Sequence, residues 1–318
     1  MISAEDGKTN RVQITVVIPT IGRPEVSRAV LSAAKQKDVD TQIIVVVDRP
    51  DMYETVVNMV GHSASVVPNR GHGGAAARNE GARMGSGDFI AFLDDDDWWE
   101  PTKLAAQVAV MRGAGANFCF GSAWFHSASD LRRLPGVPYN PEVESLASYM
   151  VRRPGLRFGY SLVQSSSFIV SSEVARTCGW DSTLRKHQDW DYALRLEKRS
   201  DVRSVFLNEP LVHVAQASVG SVSKQYDPDS SLRFLKRHAE DMDNVAYADF
   251  VGAILLRGAF ATQSGRQVAQ AFGLMRERWS GLRWPALVVA LSGLYLGVRQ
   301  RAKNTASRVV LGPDKQSP

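Results

Sequence analysis

The chain has 318 residues, 44% hydrophobic and 22% charged, an ordinary globular composition that allows one large domain or a domain with an appendage. Its two cysteines, Cys119 and Cys178, have neither metal-ligand nor redox spacing, which excludes a thiolate metal centre and favours a reduced, cytosolic chain. From Arg266 onward nine Lys/Arg face two acids, a local balance of +7 within a net +5, so the basic character belongs to the tail and no nucleic-acid groove is expected in the main domain.

Residues Met1 to Asn10 are polar and lack the apolar stretch of a signal peptide, so the part that follows is expected in the cytoplasm. Gln13 to Ile18 and Gln42 to Val47 are apolar, β-branched runs that predict two buried parallel strands, stopped by Pro19 and Asp48. Between them Val26, Val30, Leu31 and Ala34 recur at helical spacing over Pro24 to Lys37, which completes a βαβ unit. A helical turn at Val56 to Val60, a short strand at Ser65 to Val67, a helix at Gly74 to Met84 and a strand at Asp88 to Leu93 follow. Strands alternating with helices over the first hundred residues imply an α/β fold with a doubly wound, mostly parallel sheet.

That last strand runs into four consecutive aspartates, Asp94 to Asp97, and then Trp98-Trp99-Glu100-Pro101. Carboxylates so close repel one another unless an arginine, a lysine or a hard divalent metal balances them. The carboxyl ends of strands in such a sheet are also where ligands bind. A solvated acidic loop is the plainer alternative.

A helix at Thr102 to Arg112 and a strand at Asn117 to Trp124 continue the pattern, after which Ser127 to Gly159 is rich in Pro, Gly and Arg, as in a binding loop or lid. Strands are predicted at Phe168 to Val170, Val202 to Leu207 and Leu211 to Ala215, with a helix at Asp189 to Lys198; from Pro228 the pattern is nearly all helical. The expected division is a domain over 1–225, in halves at 11–125 and 126–225, and a helical, basic region over 226–318. Trp284 to Val298 is uncharged for fifteen residues, only about 22 Å of helix at 1.5 Å per residue, short of a bilayer core of roughly 30 Å. With Trp279, Trp284, Tyr295 and many arginines nearby, it is either a helix lying in the membrane interface or a core or dimer-interface helix.

Val17-Ile18-Pro19-Thr20, Val47-Asp48, Ala77-Arg78-Asn79-Glu80-Gly81, Phe92-Leu93-Asp94-Asp95-Asp96-Asp97-Trp98 and His187-Gln188-Asp189-Trp190-Asp191 together resemble the inverting, family 2 type of GT-A glycosyltransferase, in that family's order, over about Gln13 to Ala215. The resemblance implies a Rossmann-like nucleotide-binding donor half at 11–125, an acceptor half at 126–225 and a C-terminal helical extension. Thr20 and Asp48, at the ends of the first two strands, would meet the base of a nucleotide-sugar donor, although a strand-end Asp can also cap a helix. Gly71, Gly73 and Gly74 form a permissive loop ahead of Arg78, which is placed either to reach a phosphate or to pair with the acid cluster.

By the same resemblance Asp96 binds a divalent cation, Mn²⁺ or Mg²⁺, while Asp94 and Asp95 contact the ribose or support the metal; Asp97 is extra and structural. His213 is a further metal candidate, against the plainer role of a packed strand histidine. Asp189 matches the family's general base toward the acceptor hydroxyl, but the usual Glu-Asp pair is here Gln188-Asp189, which removes one charge beside the base. Asp189 could also be the N-cap of its helix. Trp180 and Trp190 are placed either to stack on sugar faces or to fill the core.

The implied activity is metal-dependent transfer of a sugar, from a UDP-sugar by preference, to a glycan or lipid-linked glycan in surface polysaccharide synthesis, peripherally on the inner face of the cell membrane. Two other classes remain open. A sugar nucleotidyltransferase would carry a glycine and arginine phosphate loop after its first strand, which Pro19-Thr20-Ile21-Gly22-Arg23 matches poorly. A non-catalytic nucleotide-sugar-binding membrane scaffold would have no need of Asp96 and Asp189.

Overall fold

The structure, a computed structural model, describes residues 11–127, 130–156, 161, 163–216 and 226–310, with side chains in the last helix described as far as Val298. The polar segment Met1 to Asn10, parts of the Ser127 to Gly159 stretch and the basic side chains from Arg299 onward lie outside the described residues.

The first strand, β1 (Gln13–Thr20), is buried over most of its length and runs through Pro19 instead of stopping there. Its ladder with β4 (Phe89–Phe92) ends at Val17↔Phe92, so Pro19 lies where one edge of the strand has no partner and its missing N–H costs no ladder bond. The other edge pairs in parallel with β2 (Asp40–Val47), which pairs in turn with β3 (Ser65–Pro68). Helices α1 (Val26–Ala34), α2 (Tyr53–Val60) and α3 (Gly73–Met84) connect these strands as the apolar spacing predicts. Close packing of α3 on β1 requires Gly81, because a Cβ there would fall 2.3 Å from Val17 Cγ1.

Beyond β4 come β5 (Trp98–Trp99), α4 (Lys103–Ala114), β6 (Phe118–His126), β7 (Leu131–Leu134), α5 (Leu146–Val151), β8 (Ile169–Ser171), α6 (Ser172–Cys178), α7 (Gln188–Glu197) and β9 (Ser204–Ala215). The described strands form one sheet in the order β3-β2-β1-β4-β8-β6-β9-β5, with β7 on β6. The expectation of a mostly parallel sheet holds for β3-β2-β1-β4; the rest is mixed, because β8 runs antiparallel to both β4 and β6. Reversal brings the residues ahead of β8 beside the carboxyl end of β4, where the aspartates begin, and Phe92 N donates to Phe168 O. The two strands predicted over 202–215 are a single strand, β9, whose ladder with β6 slips between Gly121 and Ala123 and so absorbs extra residues around Pro210. Ile14, Val16, Ile18, Val45, Leu93 and Ile169 are among the fully buried or nearly buried residues of the core beneath the sheet.

The chain divides into two compact units, one of Met1–Glu142 with Ser161–Gln225, the other of Val143–Tyr160 with Tyr226–Pro318. Residues 143–156, assigned from sequence to the acceptor half, therefore fold with the C-terminal helices. The reason is burial: every residue of α5 is buried, and its packing partner is α9 (Asn244–Phe250). The second unit also holds α8 (Pro228–His238), α10 (Arg257–Thr262), α11 (Gly265–Glu277) and α12 (Trp284–Val310), with a π-helical stretch, Val251–Leu256, joining α9 to α10.

Candidate active site

All residues predicted for the site lie in the first unit, where four aspartates meet different partners. Thr20 Oγ1 donates to Asp95 Oδ2 at 2.6 Å, and Arg23 Nη1 lies 2.5 Å from Asp95 Oδ1. Asp95 is almost fully buried; burial holds its carboxyl above the usual range, opposed by the Thr20 hydrogen bond and the Arg23 charge. Thr20 is thus turned into the acid cluster, and it also accepts from Gly22 N.

Asp94 takes the second arginine. Arg78 Nη2 lies 2.5 Å from Asp94 Oδ1, and Ser165 Oγ donates to both oxygens of the same carboxylate at 3.1–3.2 Å. Arg78 thus pairs with the acid cluster. Asp97 is buried beneath, accepting from Ser166 Oγ at 2.6 Å, Gln164 Nε2 at 2.8 Å and Ala215 N at 3.0 Å. Burial, then the charges of Asp94 and Asp96, push its carboxyl well above the usual range. These contacts are those of a structural group.

Arg78 also carries the link to the second acidic motif. Its Nη1 donates to Gln188 Oε1 at 3.2 Å, and Gln188 Nε2 donates to Leu184 O. Gln188 opens α7; its N-cap is His187, held at φ 63°, and no side chain caps the helix, so Asp189 stands in the first turn and not at the cap. The Asp189 carboxylate accepts from Trp190 N at 3.0 Å. Burial pushes its pKa up to about 6, against the lowering effects of that hydrogen bond and of Arg78, with Asp94 raising it further. Gln188, the neighbour of Asp189, meets the same Arg78 that pairs with Asp94, so the start of α7 is tied to the aspartate cluster. Asp191 points elsewhere, fully buried against Arg195 at 2.8 Å.

Asp48 Oδ1 accepts from Asn69 Nδ2 at 2.6 Å and from Gly73 N at 2.8 Å, so it tethers the glycine loop and caps α3 rather than the helix that follows its own strand. His213 is engaged on both ring nitrogens: Nε2 with Glu100 Oε1 at 2.8 Å and Nδ1 with His126 Nε2 at 2.9 Å, while its ring stacks on Trp98. The structure therefore groups His213 with Glu100 and His126. Trp180 is buried, stacked on Tyr192 with ring centroids 4.1 Å apart, and its backbone is clamped by Asn79; it is a core residue and not a sugar platform.

Among the described residues no group of three or more His, Cys, Asp or Glu side chains is arranged to hold a metal ion. The donor set nonetheless suits a hard cation. Asp94 and Asp95 pair with arginines at 2.5 Å, and the Asp96 carboxylate, its side chain 15% exposed, lies 3.9 Å from Arg23. Mg²⁺ and similar ions are commonly held by one or two carboxylates, water and the substrate's phosphates rather than by a full protein cage.

Residues 15–168 match the family described as Glycosyl transferase family 2. The chain carries a glycosyl transferase family 2 domain. Similar proteins include the amylovoran biosynthesis glycosyltransferase AmsB of Erwinia amylovora, 30% identical over 146 residues, 44% of this chain and 46% of AmsB. The match thus spans less than half of that relative. The Escherichia coli protein WfgD, named UDP-Glc:alpha-D-GlcNAc-diphosphoundecaprenol beta-1,3-glucosyltransferase, is 44% identical over 50 residues, 16% of this chain and 20% of WfgD. Among solved structures, S. aureus TarS 1-349 in complex with UDP-GlcNAc overlays with a TM-score of 0.55 at 15% identity, covering 86% of this chain and 93% of that 1-349 chain. The family 2 domain has the GT-A fold.

Sequence reasoning missed Arg23, Arg28 and the run Gln164-Ser165-Ser166. Arg28 donates to Asp96 O at 2.6 Å and lies over the Trp98 ring at 3.8 Å. The requirement for a counter-charge to the aspartates was the signal for an arginine; nothing in the order of the chain pointed to which one. Gln164-Ser165-Ser166 is a small polar run before an apolar strand, with no motif to mark it.

Proposed function

We propose that the family 2 domain is an inverting glycosyltransferase, moving one sugar from a nucleoside diphosphate donor to an acceptor hydroxyl by a single in-line displacement. The observation that carries this reading is the Asp94–Arg78–Gln188 chain, which ties the aspartate-rich strand end to the start of α7 where Asp189 stands. Asp189 accepts the proton of the attacking hydroxyl. The oxygen attacks the anomeric carbon as the bond to the diphosphate breaks, and the electron pair leaves on the diphosphate. A pKa of about 6 keeps most of the carboxyl ionised near neutral pH while leaving it more basic than an ordinary aspartate.

A divalent cation held by Asp96, when bound, offsets charge on the departing diphosphate. The donor is proposed to be a UDP-sugar and the acceptor a glycan or lipid-linked glycan of surface polysaccharide synthesis, as the names of AmsB and WfgD suggest. The enzyme would work in the cytoplasm at the inner face of the cell membrane. Incubation with a panel of nucleotide sugars and lipid-linked acceptors, scored for the nucleotide product, tests the reading: nucleoside diphosphate release with glycosylated acceptor supports it, whereas pyrophosphate consumption or release identifies a nucleotidyltransferase and overturns it.

A further inference from the structure

The C-terminal helix α12 is inverted relative to a surface helix of a soluble protein. Its inward stripe consists of small residues, Ala286, Ala290, Gly293 and Gly297, at the i, i+4, i+7, i+11 spacing of one helix face, all buried. They let backbones meet: a Cβ on Gly293 would lie 2.1 Å from Arg257 O in α10. The outward stripe carries the bulk. Trp284, Leu287, Leu291, Leu294, Tyr295 and Val298 follow one another on the opposite face, with Trp284 64%, Leu291 53% and Tyr295 68% exposed. A contiguous apolar face of this kind marks an interaction surface.

We propose that this outer face of α12 docks on an anionic lipid surface and lies in its plane. The occupant is argued from charge, composition and length. After Val298 the helix continues to Val310, and that part of the sequence carries Arg299, Arg301, Lys303 and Arg308 with no acid, which complements anionic headgroups. Exposed Trp279, Trp284 and Tyr295 are the residue types that settle at the headgroup boundary. The apolar part of α12, Trp284–Val298, falls short of the length that crosses a bilayer. The helical run Asn244–Thr262 has that length and hydropathy, but 67% of its apolar window is buried within the protein. The proposal deepens the lipid-linked acceptor reading; only its consequence for transfer, and not the lipid binding, rests on that reading.

The test is flotation of the full-length protein with vesicles of phosphatidylcholine alone and of phosphatidylcholine with phosphatidylglycerol, at low and high salt. The expected result is flotation with the anionic vesicles, weakened by salt and reduced at least tenfold in the double substitution Leu291→Glu/Tyr295→Glu, with an unchanged circular dichroism melt and unchanged UDP binding. A second variant, Arg299→Gln/Arg301→Gln/Lys303→Gln, leaves the apolar face intact and should lose the preference for anionic over neutral vesicles. The proposal is overturned if the wild-type protein stays below the anionic vesicles. It is overturned equally if sedimentation without lipid gives a dimer that Leu291→Glu/Tyr295→Glu turns into monomer, since the face would then be covered by a second copy. Asp189→Asn must float as wild type does, so failure of the transferase reading and failure of lipid docking are separable.

Discussion

Arg78 and Asp94 form a 2.5 Å ion pair between α3 and the loop after β4, and the same guanidinium donates to Gln188 at the first position of α7. One cation therefore holds the aspartate cluster and the candidate base in register. Arg78 is only 8% exposed, so little solvent screens it.

Asp189→Asn keeps the size of the side chain and removes the proton acceptor. Turnover should fall about 10²–10⁴-fold, the usual contribution of a positioned base, while calorimetric affinity for the donor stays the same. Wild-type turnover in Asp189→Asn would remove Asp189 from the mechanism.

The pH dependence follows from the raised pKa. Protonated Asp189 cannot accept a proton, so kcat/KM should climb with pH and level off above about 6. Arg78 lowers that pKa, so Arg78→Met should move the acid limb to higher pH and Arg78→Lys should restore most of it. Stability has the opposite sign. A carboxyl whose pKa is higher folded than unfolded stabilises the fold while protonated, and loses that contribution as pH rises through about 6. Asp189→Asn should therefore melt above wild type at pH 7.5 and no higher than wild type at pH 4.

Metal dependence is checked by chelation. EDTA should abolish transfer, Mn²⁺ or Mg²⁺ should restore it, and Asp96→Asn should raise the metal concentration needed without lowering the melting temperature. Full activity in EDTA would leave Arg23 and Arg78 as the cations of the site.

Arg23→Met should destabilise the fold by about 3–5 kcal/mol in urea titration, because it strands Asp95 without its ion-pair partner in a buried position. Adding Asp95→Asn should recover part of that loss, since the charge left behind is gone.

Trp180→Ala should cost about 3–5 kcal/mol by loss of its buried stack on Tyr192 and its edge-to-face contact with Phe92. As a core residue it should alter stability far more than KM for the sugar donor at temperatures where the variant remains folded.

Contiguous chemistry was legible along the chain. The apolar runs of β1, β2 and β4 and the spacing in α1 and α3 set local conformation, and the aspartates could be placed at a strand end because each signal spans a few neighbouring residues. The inserted reversal of β8 could not be read that way, nor could the packing of α5 with the C-terminal helices, because both depend on partners far away in sequence. The same holds for the division of the carboxylates. Thr20 meets Asp95 across 75 residues and Arg78 meets Gln188 across 110, so which aspartate meets an arginine and which is buried beneath was decided only when the sheet closed. Sequence by itself determined the supply of charge and apolar surface; tertiary structure determined their pairing, since Coulomb attraction and desolvation act over ångströms of space and not over positions in the chain.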